Sequence, residues 1–213
     1  MRIIDLSLTI ENGVGVLGDV FPPPQVEELA SLEEQGWVGH RFILTSLTGT
    51  YLEASAHVFP DGEWLDEVPV ERCIRPITVF HLSGIGPQYG IRAVDLEACE
   101  QQLKPGDAAL VHTGWDVRLG EEDYITNSPF FQEDAMRWLL ERGAAMIGAD
   151  IPSYDSPKLP MEMVKLLFAT NCLLLAPLVN LGQISNTRPL LVALPMKVKG
   201  VCGAPCRAIV IQN

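Results

Sequence analysis

Basic residues are scarce in this chain of 213 residues. It carries 15 lysines and arginines against 27 aspartates and glutamates, and its formal net charge at pH 7 is −12. Binding to nucleic acid or to an anionic membrane surface needs a surplus of positive charge, so this balance argues against both kinds of partner. We interpret the acidity as a contribution to solubility.

Long apolar runs and paired cysteines are also missing. The most apolar segment, 172–181, is too short to span a bilayer and contains Pro177 and Asn180. Asp5 stands where a signal peptide would have an apolar run. The five cysteines are odd in number and lie mostly in apolar surroundings, which favours buried free thiols over disulfides. We therefore expect a cytoplasmic protein without a membrane-spanning segment.

The chain does contain a mixture of strand and helix patterns. Compact or alternating apolar residues predict strands over 2–10, 40–47, 77–82, 108–113, 144–148, 172–176, 190–198 and 205–212. Helical spacing and a capping signal at Ser128 and Pro129 predict a helix over 129–142, the acidic segment 25–35 could form a short helix, and 94–103 and 160–169 also suit helices. No linker or repeat divides the chain. The patterns predict a single α/β domain over 1–213, with a mixed sheet and flanking helices.

The stretch 47–57 concentrates polar side chains between a predicted strand and the turn 59–62. Glu53 and His57 are the two groups in it that can move a proton or hold a metal. A histidine titrates near neutral pH and suits acid–base catalysis, and a carboxylate can orient its ring. A local ion pair, or a histidine hydrogen-bonded under a loop, remains the structural alternative.

Several segments occur in the order and spacing of a known family. They are 3–7, 105–116, the G-x-D-x-P-S-x-D loop 148–155, 180–181 and 194–208. Over nearly its whole length the chain resembles the cyclase-like hydrolases of the bacterial kynurenine formamidase and isatin hydrolase type. The resemblance implies a barrel-like sheet, a homodimer or homotetramer, and a zinc or manganese cofactor. It also implies hydrolysis of a carbon–nitrogen bond in a small amide, and the proline-rich segment 11–24 fits an arm that reaches a neighbouring subunit.

The family's signature, H-x-G-T-H-x-D-x-P-x-H, falls on residues 47–57, and the chain departs from it. Gly49, Thr50 and His57 agree with the signature. In the family the histidine at the position of His57 transfers protons beside the metal. The resemblance therefore implies that the backbone scaffold and this proton-transfer group persist.

Most of the family's metal ligands are replaced. The five ligand positions carry Leu47, Tyr51, Glu53, Val164 and Ala176, where the family has two histidines, a bridging aspartate, a histidine and a glutamate. A zinc or manganese ion needs three or more protein donors to be held tightly. We therefore expect no tightly bound metal and a cavity refilled with apolar side chains.

The sequence thus predicts a hydrolase of the arylformamidase or cyclic-amide hydrolase type, with altered or lost metal dependence. We expect His57 and Glu53 as catalytic residues and Tyr51 and Trp115 as substrate-binding residues, with core packing as the alternative for both aromatic side chains. If a zinc or manganese ion binds after all, its ligands would be Glu53 and His57, for example with His40. The second hypothesis is an inactive family member that binds a small molecule or a partner subunit.

Overall fold

Strands outnumber helices in the computed structural model, which describes residues 1–13, 21–82, 84–156, 158–185 and 188–212. The strands are β1 Arg2–Asp5, β2 Gln25–Ala30, β3 Gly39–Ile43, β4 Tyr51–Glu53, β5 Ile74–His81, β6 Gly90–Ile91, β7 Ala108–His112, β8 Phe130–Phe131, β9 Met146–Ala149, β10 Leu173–Ala176, β11 Leu190–Pro195 and β12 Gly203–Gln212. The helices are α1 Leu32–Gln35, α2 Ala93–Glu97, α3 Glu133–Glu141 and α4 Glu162–Phe168. Within these ranges no helix combines the length and the apolar character needed to cross a membrane.

The main sheet closes on itself. Its strand order is β1-β12-β11-β5-β7-β9-β10-β4, and β12 pairs with β4 as well. The pairs β5–β7, β7–β9 and β9–β10 are parallel. The pairs β10–β4, β4–β12, β12–β11 and β11–β5 are antiparallel. Seven strands of the described chain therefore form a closed mixed barrel, and β1 extends the sheet beyond it. The prediction of an α/β fold with a barrel-like mixed sheet is confirmed.

Gly49 and Thr50 fasten the chain where it enters the short strand β4. The hydroxyl of Thr50 is buried, accepts the N–H of Leu8 at 2.9 Å and donates to the carbonyl of Pro177 at 2.6 Å. Gly49 has a φ of +65°, and a Cβ there would lie 2.9 Å from a side-chain carbon of Ile10. These two signature residues thus have a structural role, since they join the start of the chain to the loop after β10.

Strand β4 separates two apolar clusters because its side chains alternate between the two faces of the sheet. Tyr51 belongs to the cluster that also contains Trp115, Val164 and Phe168, and Leu52 belongs to the cluster on the opposite side. Glu53, two residues after Tyr51, faces the same side as that tyrosine.

Two sequence predictions near the site are right for only part of their length. The predicted strand 40–47 ends at Ile43, and β3 pairs with β2 in a separate two-stranded sheet. A turn follows, in which the backbone N–H of Thr45 donates to the hydroxyl of Thr48. The predicted helix over 25–35 is strand β2 followed by the single turn α1, which begins after the cap Ser31. Cross-strand pairing with β3 overrides the local pattern there.

The third predicted helix starts later than its capping signal suggested. Residues 130–131 form β8, which pairs with β6, and α3 begins at Glu133. The hydroxyl of Ser128 donates to the carbonyl of Pro129 and does not cap the helix. Of the proline-rich segment 11–24, residues 14–20 lie outside the described ranges, and so the predicted arm is not described as a whole.

Candidate functional site

Glu53 is held at the end of β4 between two neighbouring strands. Its backbone is paired with Leu174 of β10 on one side and Gly203 of β12 on the other. Only 2% of the residue is exposed. A carboxylate in such a position needs compensation by a positive charge or by hydrogen bonds.

His57 supplies a nitrogen atom next to this carboxylate. Residues Ser55–His57 form a 3-10 turn directly after β4, in which the N–H of His57 donates to the carbonyl of Ala54 at 3.1 Å. The turn brings Nδ1 of His57 to 2.8 Å from Oε1 of Glu53, and 24% of the histidine side chain remains exposed. The structure therefore brings the two residues predicted as catalytic into direct contact.

A second turn locks the position of the histidine. The hydroxyl of Ser55 accepts the N–H of Glu63 at 2.9 Å and lies 3.1 Å from Oδ1 of Asn171. Gly62 lies against the same turn, and a Cβ at this glycine would come within 2.4 Å of the carbonyl carbon of Ser55. Only glycine fits this approach, and the loop after His57 is thereby held against the turn.

Cys202 is the residue of the site that sequence reasoning missed. It lies one residue before β12, and its carbonyl accepts the N–H of Ala54 at 2.8 Å. Its Sγ is 3.6 Å from Nδ1 of His57. In the sequence, Cys202 and Cys206 stand four residues apart without a second pair of ligands, so they form no recognisable zinc motif. Nothing local indicates that a residue about 150 positions away pairs with β4.

The electrostatics of the cluster favour an ion pair. Burial raises the pKa of Glu53, although the contact with His57 opposes this effect. The contacts with the Cys202 thiol and then with the Glu53 carboxylate raise the pKa of His57 to about 10. Without a bound cation, the raised pKa of His57 favours a protonated imidazole next to Glu53 at neutral pH.

The positions at which the family holds its metal do not fit an ion in this chain. Leu47, Tyr51, Val164 and Ala176 all lie in one buried apolar cluster, and Tyr51 pairs across the strands with Ala176. Burial also raises the pKa of the Tyr51 hydroxyl well above its usual range, so this side chain stays neutral and is a poor ligand. The ligand positions are filled by packing, and Glu53 is the one carboxylate among them.

The two predicted substrate-binding residues, Tyr51 and Trp115, are buried in this cluster. The indole N–H of Trp115 donates to the carbonyl of Tyr124 at 2.8 Å. Tyr124 itself lines a groove of about 600 Å³ together with Leu8 and Gly49. Tyr51 and Trp115 therefore pack behind this groove, and their predicted contact with a substrate stays a prediction.

His40, which the sequence offered as a third metal ligand, lies exposed on β3 and pairs with Glu28 of β2. In the described part of the chain, the group that can share an ion with Glu53 and His57 contains Cys202 as its third member.

A second group of possible ligands, His112, Asp116 and Asp150, lies at the ends of the parallel strands. The carboxylate of Asp150 is fully buried and accepts three hydrogen bonds, from the N–H and hydroxyl of Thr113 and from the N–H of Gly114. Its oxygens are thus occupied, as expected for a residue that shapes the fold.

Comparisons with known proteins place this architecture in a family. A family model described as "Putative cyclase" matches residues 4–156. The chain is 26% identical to isatin hydrolase of Roseibium aggregatum, in an alignment that covers 99% of this chain and 94% of that protein. It is 28% identical to kynurenine formamidase of Bacillus anthracis, with 97% and 96% covered.

The solved structures agree with these matches. A crystal structure of an isatin hydrolase bound to the product analogue thioisatinate superposes with a TM-score of 0.88 at 22% identity, and the match covers 100% of this chain and 93% of that one. This likeness establishes the shared fold. Because the family model spans more than half of the 213 residues, the chain belongs to the cyclase family.

Proposed function

We propose that this protein hydrolyses a carbon–nitrogen bond in a small amide, of the arylformamide or cyclic-amide kind. Relatives named isatin hydrolase and kynurenine formamidase align with it from end to end, which supports this reaction class. The observation that carries the proposal is the Glu53–His57 contact at 2.8 Å on a turn with a partly exposed imidazole.

Amide hydrolysis breaks the carbon–nitrogen bond and forms a carbon–oxygen bond to water, and the proton that the attacking water loses balances the proton that the departing nitrogen gains. His57 is the group that can deliver this proton, because its ring is held by the turn and is open to solvent on one side. Glu53 orients the ring and stabilises its charged form. We derive no step through a metal at the family's ligand positions, because those positions are packed with apolar side chains.

The test is turnover of N-formylkynurenine, isatin and a panel of lactones by chelator-treated protein. We expect His57→Gln to lower kcat/KM by about 10²–10⁴-fold, the usual contribution of an acid–base group. His40→Gln is the matched control, since this histidine lies exposed on the separate β2–β3 sheet. Activity that survives in His57→Gln would refute the role of His57.

The apolar filling of the ligand positions favours a second candidate function, that of an inactive family member that binds a small molecule. The groove of about 600 Å³ beside Gly49 and Tyr124 is the volume available for a ligand. This candidate is favoured if no compound of the panel is turned over by any form of the protein while aryl amides still raise its melting temperature.

The proposal also includes a cytoplasmic location and a homodimer or homotetramer. All five cysteines are free thiols, which fits a reducing compartment. Light scattering after size-exclusion chromatography tests the oligomeric state, and a monomer at micromolar concentration would contradict it.

A further inference from the structure

Three chemically different donor groups converge beside the family's ligand positions. Glu53, His57 and Cys202 each offer one ligand atom, and these atoms all lie within 4.8 Å of one another. Nδ1 of His57 is 2.8 Å from Oε1 of Glu53 and 3.6 Å from Sγ of Cys202. In tetrahedral zinc sites the bond lengths of about 2.0–2.3 Å put neighbouring ligand atoms roughly 3.3–3.8 Å apart. The three donors need to move little to surround one ion.

A second observation concerns the hydrogen bonding of Glu53. Oε1 of Glu53 is buried and has no directed hydrogen bond among the described residues, although His57 approaches it closely. A buried carboxylate oxygen without such a partner is costly, and buried charges in proteins are usually paired or bound to metal. His57 is the close polar neighbour of this oxygen, and a cation at this point would satisfy the carboxylate, the histidine nitrogen and the cysteine sulfur together.

The backbone holds the three donors in place. Glu53 is paired with Gly203, and the N–H of Ala54 donates to the carbonyl of Cys202, so the carboxylate and the thiol lie on adjoining segments of two paired strands. His57 follows Glu53 by four residues, and the 3-10 turn Ser55–His57 sets the position of the histidine next to the carboxylate. Ligands that are fixed by strands and a short turn are preorganised for an ion.

The arrangement fits an ion better than a cysteine–histidine–glutamate relay. In such a relay the thiol and the carboxylate contact different ring nitrogens. Here both approach the same atom, Nδ1 of His57, and this convergence matches ligands around a common centre. A thiolate, an imidazole and a carboxylate together favour zinc over magnesium or calcium.

We propose that Glu53, His57 and Cys202 form a site for one zinc-class divalent cation, which shares only the position of Glu53 with the family's ligand set. Three protein ligands and a partly exposed side leave a fourth position for water, as in catalytic zinc sites. In the loaded protein the ion replaces the proton of His57 as the positive charge next to Glu53. The proposal concerns the same residues as the proposed function but does not depend on turnover.

The test uses protein that has been reduced and stripped with a chelator, then titrated with Co²⁺ and with Zn²⁺. We expect one equivalent to bind and Co²⁺ to produce a thiolate-to-metal charge-transfer band, which Zn²⁺ abolishes by displacement. Cys202→Ser should remove this band, and Cys202→Ser, Glu53→Gln and His57→Gln should each weaken binding by more than about 100-fold, since loss of a ligand exceeds the effect of an outer-shell partner. Cys206→Ser, four residues further along the same chain segment, is the matched control and should bind like the wild type.

Binding of less than one equivalent of either ion, or a charge-transfer band that survives in Cys202→Ser, would overturn the proposal. Circular dichroism of the stripped variants checks that they are folded. If Glu53→Gln does not fold, Cys202→Ser still decides, because this residue is only half-buried. Hydrolysis by stripped protein would support the proposed function even if no ion binds. A bound ion without turnover of any compound would support the metal site and contradict the proposed function.

Discussion

Putting one family ligand back tests whether the metal cavity has been refilled. Val164 lies on the buried face of α4, in the apolar cluster that also contains Leu47, Tyr51 and Ala176. Of these neighbours only Tyr51 offers a polar atom, so at least one imidazole nitrogen of Val164→His stays unpaired, which costs about 1–3 kcal/mol, and the larger ring overpacks the site at a similar cost. We expect the free energy of unfolding to fall by about 2–5 kcal/mol.

The assay is urea unfolding in chelator and in excess zinc, with the exposed neighbour Lys165→His as the matched control. The control should change the free energy of unfolding by less than about 0.5 kcal/mol. Zinc should stabilise Val164→His no more than it stabilises the wild type. If the variant is as stable as the wild type, or gains extra stability from zinc, a cavity of the family's kind persists and the refilling argument is wrong.

Other consequences can be measured on the same protein. Thr50→Val leaves the N–H of Leu8 and the carbonyl of Pro177 without their hydrogen-bond partner, so it should lower the free energy of unfolding in urea by about 2–4 kcal/mol. The control Thr78→Val, also at a buried position, loses one hydrogen bond of 3.4 Å and should cost under about 1 kcal/mol. Equal losses in the two variants would contradict this role of Thr50. Gly62→Ala should destabilise the protein by about 1–3 kcal/mol and impair hydrolysis, because its Cβ displaces the turn, while Gly86→Ala has open space around it and should do neither. In metal-free protein the pKa of His57 is raised from 6.5 to about 10, so its contribution to stability should be complete below pH 6.5 and be lost as the pH rises to about 10; a histidine NMR titration with a midpoint near 6.5 would refute this.

Much of the barrel could be predicted from the sequence. The compact apolar runs of β5, β7 and β9 are typical of parallel strands buried on both faces, and their positions came out nearly as predicted. Closure of the barrel could not be derived from such patterns. It depends on β12 pairing with both β11 and β4, and these contacts join distant parts of the chain.

The site was predictable only where its residues are close together in the sequence. Glu53 and His57 are four residues apart, so a single turn is enough to bring them together, and the sequence allowed that outcome. Cys202 reaches them only through the pairing of β12 with β4. The neighbours of Cys202 in sequence show no ligand pattern, so the sequence alone does not point to this cysteine.

The errors at β2 and α3 have a common cause. The acidic pattern around Gln25–Ala30 and the signal of Ser128 before Pro129 are local features. Both segments instead pair with another strand, β2 with β3 and β8 with β6, and this pairing satisfies backbone groups that a helix would otherwise satisfy. At these two places, pairing with a partner strand therefore overrides the local signal for a helix.

The charge balance around Glu53 links the replaced ligand positions to the contact between Glu53 and His57. Leu47, Tyr51, Val164 and Ala176 fill one buried cluster and offer too few donors for a family-type ion, so the buried carboxylate of Glu53 needs another source of positive charge. Glu53 has such a source in His57, either as an imidazolium or as a fellow ligand of a cation. The buried carboxylate therefore depends on the histidine, and the chemistry of this protein depends on what supplies the positive charge next to Glu53.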